Sequence, residues 1–372
     1  MERMQKELSI LEAKGQLRKI PLITNKNENK IEINGKTYVN LASNDYLGIS
    51  TNKELVDEFL STHKNFFSSA SARLLSGTSS EYNELEQTLA NLFNKEGCLL
   101  FNTGYQCNLG IVSTLCQKGD VVFSDKLNHA SIIDGMKLAE GDFIRYRHLD
   151  YKNLEELLSK KRNSYNRAII ISESVFSMDG DIADIDKLIE LKKKYNCLLM
   201  IDEAHAFCAI GKDLTGISCG DNIDIITATF GKAVGSFGAF CVANYDIITY
   251  LTNKARSFIF STSIPPINVA WTNWLLNQKR EYLLSQKVKL NILCNEVHLL
   301  IESNSKSQII PFIIGTNDKT NKIAENLKSE GYYIPAIRPP TVPNGTSRLR
   351  VSLTANTDLE DVKRIIKIIH EF

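Results

Sequence analysis

Lys232, Asp202 and His205 are the residues of this chain best placed to do chemistry together. Lys232 follows a mostly apolar run, Ile223 to Phe230, and small residues flank it: Gly231, Ala233 and Gly235. A lysine at the end of a core strand is costly without a partner or a task. Desolvation there favours the neutral amine, which is the nucleophilic form. Gly231 lets another molecule approach the backbone closely. Upstream, Cys197-Leu198-Leu199-Met200-Ile201 runs straight into Asp202-Glu203-Ala204-His205. Each piece also has a plainer reading. Lys232 alone reads as a surface lysine in a turn, and the carboxylates as a strand-end cap or a helicase Walker B motif. The helicase reading needs a G-x-x-x-x-G-K-[ST] loop. The chain's one G-K-[ST], Gly35-Lys36-Thr37, has Lys30 where the first glycine belongs.

The two apolar runs are short and two-sided, as central parallel strands are. Ligands of open α/β sheets bind outside the carboxyl ends of the strands, so Asp202 and Lys232 are expected at one edge. A carboxylate that keeps a pyridine nitrogen protonated, beside a lysine able to form a Schiff base, is the equipment of pyridoxal phosphate chemistry. Further runs near 98–101, 121–124, 142–147, 168–172 and 238–243 alternate with helical patterns. With 197–201 and 223–230 they predict a mainly parallel seven-stranded sheet with helices on both faces. Asn102-Thr103-Gly104-Tyr105 follows one strand and opens a helix, and the free N–H groups of a helix start suit a phosphate.

Outside this core, Met1 to Gln16 reads as a charged amphipathic helix, Asn25 to Lys30 as a polar turn, and Ile31 to Val39 as a hairpin around Asn34-Gly35. A long helix is expected from about Val269 to Leu300. Strand-like runs at Ile309 to Gly315, Tyr332 to Ile337 and Leu349 to Leu353 then combine with helices near Asn321 to Glu330 and Leu359 to Glu371. The predicted organisation is an arm over 1–42, a large domain over 43–275 and a small α+β domain over 276–372. Forty-four Lys and Arg balance 43 Asp and Glu, which argues against a nucleic-acid surface. No run approaches the roughly 18 apolar residues of a membrane span, and the first residues lack a signal-peptide core. A soluble cytoplasmic protein is expected. The eight cysteines show no metal-binding spacing, so no metal site is expected and reduced thiols are.

Taken in order, Asn44-Asp45-Tyr46-Leu47-Gly48, Asn102-Thr103-Gly104-Tyr105, Asp125 to Ser131, Glu173 to Asp181, Asp202-Glu203-Ala204-His205 and Thr229-Phe230-Gly231-Lys232 resemble the α-oxoamine synthases. These are fold-type I pyridoxal-phosphate enzymes that join an amino acid to an acyl thioester and release CO2. Phe260 to Pro266, Ala336 to Pro343 and Ser347-Arg348-Leu349-Arg350 are most similar to the branch that serves biotin synthesis. The resemblance runs from Arg18 to the C-terminus. It implies pyridoxal 5′-phosphate as cofactor, L-alanine and a pimeloyl thioester on coenzyme A or acyl carrier protein as substrates, and a homodimer. It leaves open a relative that uses glycine or serine with another acyl group, and more distantly an aminotransferase or a non-catalytic subunit.

The resemblance also implies roles. Lys232 forms the Schiff base and moves the Cα proton. Asp202 pairs with the pyridinium nitrogen, His205 with the ring hydroxyl, and His129 stacks on the ring. Gly104, Tyr105 and Thr229 hold the phosphate, with Thr262 reaching it from the neighbouring subunit. Ser177 and Glu173 line the cavity, and Asn44 faces the substrate. Arg350 pairs with the substrate carboxylate, and Arg18 lies at the acyl end. The chain departs from the family at three places. Ser68 to Arg73 replaces a glycine-rich loop, Tyr82 stands where histidine is common, and Ala206-Phe207-Cys208 occupies a stretch that usually holds a glycine.

Overall fold

The structure, a computed structural model, describes every residue from Met1 to Phe372 except Asn65 and Glu302. It divides into two compact units. One comprises Lys53–Ser177 and Ile182–Lys287; the other comprises Met1–Asn52, Met178–Asp181 and Val288–Phe372.

The larger unit is built on a seven-stranded sheet among the described residues. Across it lie Gly97–Phe101, Ala239–Ala243, Ile225–Thr229, Leu198–Asp202, Ala168–Glu173, Val121–Asp125 and Asp142–Tyr146. The last five run parallel, while Ala239–Ala243 is antiparallel to both of its neighbours. All seven predicted strands form, each within two residues of its expected ends. Chain order moves outward from Val121–Asp125 to Asp142–Tyr146 and then reverses to Ala168–Glu173 on the other side. That reversal opens a crevice at the carboxyl ends of the strands, where Asp125, Glu173 and Asp202 stand. One face of the sheet, through Leu99, Val122, Ile169, Ile171 and Met200, packs on Cys107, Ile111, Ile132 and Met136 of two helices, Gly104–Leu115 and Ala130–Leu138. Those two helices are thereby fixed with their N-termini beside the crevice.

The smaller unit holds a sheet of Ile309–Gly315, Ser347–Ser352 and Ala336–Ile337, and another of Ile23–Asn27, Lys30–Ile33, Lys36–Asn40 and Tyr332–Tyr333. Three expectations change here and in the helices. The run Tyr332 to Ile337 splits between the two sheets, with Ile334 and Pro335 between the pieces. Proline cannot donate to a ladder, which favours a break at that point. Asn25 to Lys30 is not simply a turn, because Ile23–Asn27 forms an exposed edge strand on Lys30–Ile33. Its polar composition suits an edge and hides the strand from an apolar pattern. The long helix is broken into Pro266–Gln278 and Arg280–Leu300 at Lys279, whose φ is −112°. A helix at Lys53–Thr62, with Leu55 and Phe59 buried, was not anticipated, although its i, i+4 apolar pair carries the signal.

Candidate active site

Asp202 ends its strand 6% exposed. Its Oδ2 accepts from Asn108 Nδ2 at 2.7 Å and its Oδ1 from the Ala204 N–H at 2.9 Å. The chain then turns so that buried His205 places Nε2 2.8 Å from Lys232 Nζ. Lys232 rides on a tight turn after Ile225–Thr229. The Phe230 N–H donates to Gly238 O at 2.9 Å, Ser236 N–H to Phe230 O at 2.9 Å, and Gly235 N–H to Lys232 O at 3.0 Å. Phe230 anchors the turn by stacking on Phe240, with ring centroids 5.4 Å apart. Gly235 and Gly238 supply the left-handed backbone that the turn requires, at φ 59° and 116°.

His129 caps the helix Ala130–Leu138 and keeps an exposed ring. Its Nδ1 lies 2.7 Å from Ser131 Oγ and accepts from the Ser131 N–H at 3.3 Å. Desolvation lowers its pKa from the ordinary histidine value, so the neutral ring is favoured. The loop before it is pinned by Asp125, which accepts from the N–H groups of Leu127 and Leu149 and from His148 Nδ1, each within 2.9 Å. Glu173, paired in register with Asp202, is 3% exposed. Burial, and then the charge of Asp202, push its carboxyl well above the usual range, against the pull of Lys232 and of the His129 N–H. Among the described residues its Oε1 meets no hydrogen-bond partner. An orphaned carboxyl oxygen this deep in a crevice indicates a missing polar group.

Thr103 caps the helix Gly104–Leu115 by accepting from the Gln106 N–H at 3.1 Å, which leaves the N–H groups of Gly104 and Tyr105 without partners inside the helix. Thr229 lies against Gly104; its hydroxyl donates to Gly238 O at 2.9 Å and accepts from the Gly231 N–H at 3.2 Å. The Tyr105 ring meets His129 edge-on, with centroids 6.3 Å apart. Ser177 is half-buried just past Phe176, and exposed Thr262 accepts from Asn102 Nδ2 at 2.6 Å through its carbonyl.

In the smaller unit Arg350 is 7% exposed. Its guanidinium reaches Ser352 Oγ at 2.6 Å, Asn44 Oδ1 at 3.2 Å and Tyr46 Oη at 3.4 Å. Exposed Arg18 donates to Thr341 Oγ1 at 3.1 Å. Arg338, which donates to Gly15 O, has its pKa lowered by burial and then by the charge of Arg18. Two guanidiniums therefore share that corner. Sequence reading missed Arg338, Asn108, Ser131 and Glu203. Asn108 carried a signal, as a polar residue inside an apolar helix one turn beyond Gly104.

The sequence model of the aminotransferase class I and II family matches residues 36–369. A putative 8-amino-7-oxononanoate synthase of Pasteurella multocida is 41% identical over 99% of this chain and 98% of its own length. The chain belongs to the α-oxoamine synthase family, within the class I and II aminotransferases. It is an enzyme of the fold-type I pyridoxal-phosphate-dependent acyltransferases, grouped by sequence with the 8-amino-7-oxononanoate synthases. Among solved structures, a serine palmitoyltransferase of Sphingomonas wittichii superposes with a TM-score of 0.88 at 26% identity, over 100% of this chain and 96% of that one. The 8-amino-7-oxononanoate synthase of Francisella tularensis gives 0.72 at 26% identity, over 89% and 96%. No helix among the described residues of this synthase is long and apolar enough to cross a membrane.

Proposed function

We propose that the enzyme condenses L-alanine with a pimeloyl thioester, carried on coenzyme A or acyl carrier protein, to give 8-amino-7-oxononanoate and CO2 for biotin synthesis. The observation that carries this reading is 41% identity over nearly the whole of both chains to a relative named for that product. The cofactor is pyridoxal 5′-phosphate, and the residues of the larger unit fit it. They offer a buried carboxylate, a half-buried lysine, N–H groups without partners inside their own helix, an exposed histidine and an orphaned carboxyl oxygen. When bound, the cofactor supplies a ring that accepts electron density from the amino-acid Cα.

Asp202 holds a proton on the pyridine nitrogen. Lys232 takes the Cα proton and later returns one, and the 2.8 Å contact with His205 Nε2 steadies its amine. His205 holds the ring hydroxyl, Ser177 lines the same cavity, and His129 covers one ring face. The Gly104 and Tyr105 N–H groups and Thr229 receive the phosphate, joined by Thr262 of a second copy in a homodimer. Glu173, its carboxyl pushed up by burial and by Asp202, lines the same cavity on the substrate side. Arg350 with Asn44 takes the amino-acid carboxylate, a two-oxygen group that a guanidinium fork matches. Arg18 with Arg338 receives the distal carboxylate of a dicarboxylic acyl chain. The enzyme works in the cytoplasm.

A second reading, serine with a long fatty acyl thioester, is favoured by the higher TM-score of the palmitoyltransferase. Backbone likeness reports the shared fold, and function lives in the site grafted on it. Steady-state kinetics decide between the two. Alanine with pimeloyl thioester is expected to exceed serine or glycine with any fatty acyl thioester. Arg18→Ala is expected to raise KM for the pimeloyl thioester more than for alanine, and Arg350→Ala to do the reverse. Efficient use of serine with a palmitoyl thioester, with no product from alanine, would replace this assignment with the second.

A further inference from the structure

We propose that Asn108 is a positioning residue that sets two distant parts of the site at once: the carboxylate of Asp202 and, through Ser131, the tautomer of His129. This rests on the cofactor-binding reading above. A side-chain amide has two N–H donors and one oxygen. In Asn108 all are engaged while the residue is buried. Nδ2 donates to Asp202 Oδ2 at 2.7 Å and to Ser131 Oγ at 3.1 Å, and Oδ1 accepts from Thr227 Oγ1 at 3.1 Å. Turning the amide over would set its oxygen against a carboxylate oxygen, so its orientation is fixed by charge.

The direction of each bond then passes along the chain of groups. Ser131 Oγ accepts from Asn108, which frees its own hydrogen for His129 Nδ1 at 2.7 Å. The Ser131 backbone N–H, which can only donate, is aimed at the same Nδ1 at 3.3 Å. Nδ1 is thus an acceptor twice over, and the imidazole proton sits on Nε2. Desolvation, which disfavours the imidazolium, agrees with that neutral form. The same helix start that presents the Gly104 N–H carries Asn108 one turn later. One rigid element therefore sets the anion-binding end, the carboxylate and the ring-covering histidine together.

The test uses the full-length enzyme loaded with pyridoxal phosphate, with loading read by absorbance. Exchange of the L-alanine Cα hydrogen for deuterium is followed by NMR in Asn108→Ala, Asp202→Asn and the double variant. Asn108→Ala is expected to slow exchange by about 10- to 100-fold at full loading, as loss of a partner one step from the reacting group does. KM for alanine should stay nearly constant, and the double variant should be no slower than Asp202→Asn. Wild-type exchange in loaded Asn108→Ala, or losses that multiply in the double variant, would overturn the proposal. A second measurement does not depend on cofactor or on that variant folding. The 15N shifts of His129 without cofactor should show Nδ1 bare and Nε2 protonated in wild type, and a mixture of tautomers in Ser131→Ala. A protonated Nδ1 in wild type would sink the relay. If the histidine result holds but wild type neither binds the cofactor nor exchanges alanine, the functional reading has failed and the relay has not.

Discussion

Asp202 and Glu203 are neighbours with opposite duties. Side chains alternate along a strand, so the two carboxylates leave its end on different sides. Asp202 turns toward Asn108, whereas Glu203, fully buried, accepts the N–H groups of Ser218 at 2.6 Å and Ile217 at 3.1 Å. Asp202→Asn should therefore cut alanine Cα exchange far more than it lowers thermal stability, because a neutral amide cannot hold a proton on the pyridine nitrogen. Normal exchange at full cofactor loading would remove that role. Glu203 predicts a pH effect instead. Burial pushes its carboxyl from the ordinary 4.5 up to about 7. Below 4.5 both folded and unfolded chains carry the proton. Between the two values only the folded chain keeps it, so stability falls as pH rises and levels off above the folded value. The loss over that window is about 3 kcal/mol. Unfolding of wild type and Glu203→Gln from pH 4.5 to 8 should show this slope in the wild type alone, and parallel profiles would count against it. Lys232→Ala should lose turnover yet still bind cofactor, since the helix start and Asp202 do not depend on the amine.

Two departures from the family turn out to keep an unusual backbone. Cys208, in the stretch where the family has a glycine, sits at φ 60°, and Ala70, in the loop that is otherwise glycine-rich, at φ 52°. Left-handed backbone costs a residue with a Cβ about 1–2 kcal/mol. Ala70 is exposed, so Ala70→Gly forfeits little packing and should stabilise the fold by a few tenths to about 1 kcal/mol, read as a small rise in Tm. Buried Cys208 offsets its strain by filling space, so glycine there should gain less. Gly216 is the reverse case. Its φ is 89°, and an added Cβ would collide with Glu203 Oε2. Gly216→Ala should cost about 2 kcal/mol or more in chemical denaturation. A wild-type midpoint would show that this loop can move away from Glu203.

At the scale of the whole chain, near-neutral charge leaves apolar surface as the means of self-association. In the larger unit Phe66, Phe67, Leu75 and Phe260 are each more than 70% exposed. Large apolar side chains left this open are expected to be covered in a homodimer. Sedimentation of the wild type should give a dimer, and Phe67→Glu with Phe260→Glu should shift it toward monomer with loss of activity. A monomeric wild type with full activity would remove the subunit-spanning role of Thr262.

By itself the sequence determined the seven strands of the large sheet, the helix start at Gly104 and the placement of Asp202 and Lys232 at one edge. Each follows from local pattern: apolar runs of strand length, punctuation by small residues, and the rule that sites gather at carboxyl ends. The order of the motifs also carried the family. What lay beyond it depends on which distant atoms meet. Pairing partners decide that Tyr332 and Ile337 belong to different sheets, and Ile23–Asn27 is a strand only because Lys30–Ile33 lies beside it. The Asn108 relay joins four elements, so no local spacing announces it. A buried polar residue shows in sequence only as an exception to an apolar pattern, and its purpose is set by the carboxylate and hydroxyl that folding brings within hydrogen-bond reach.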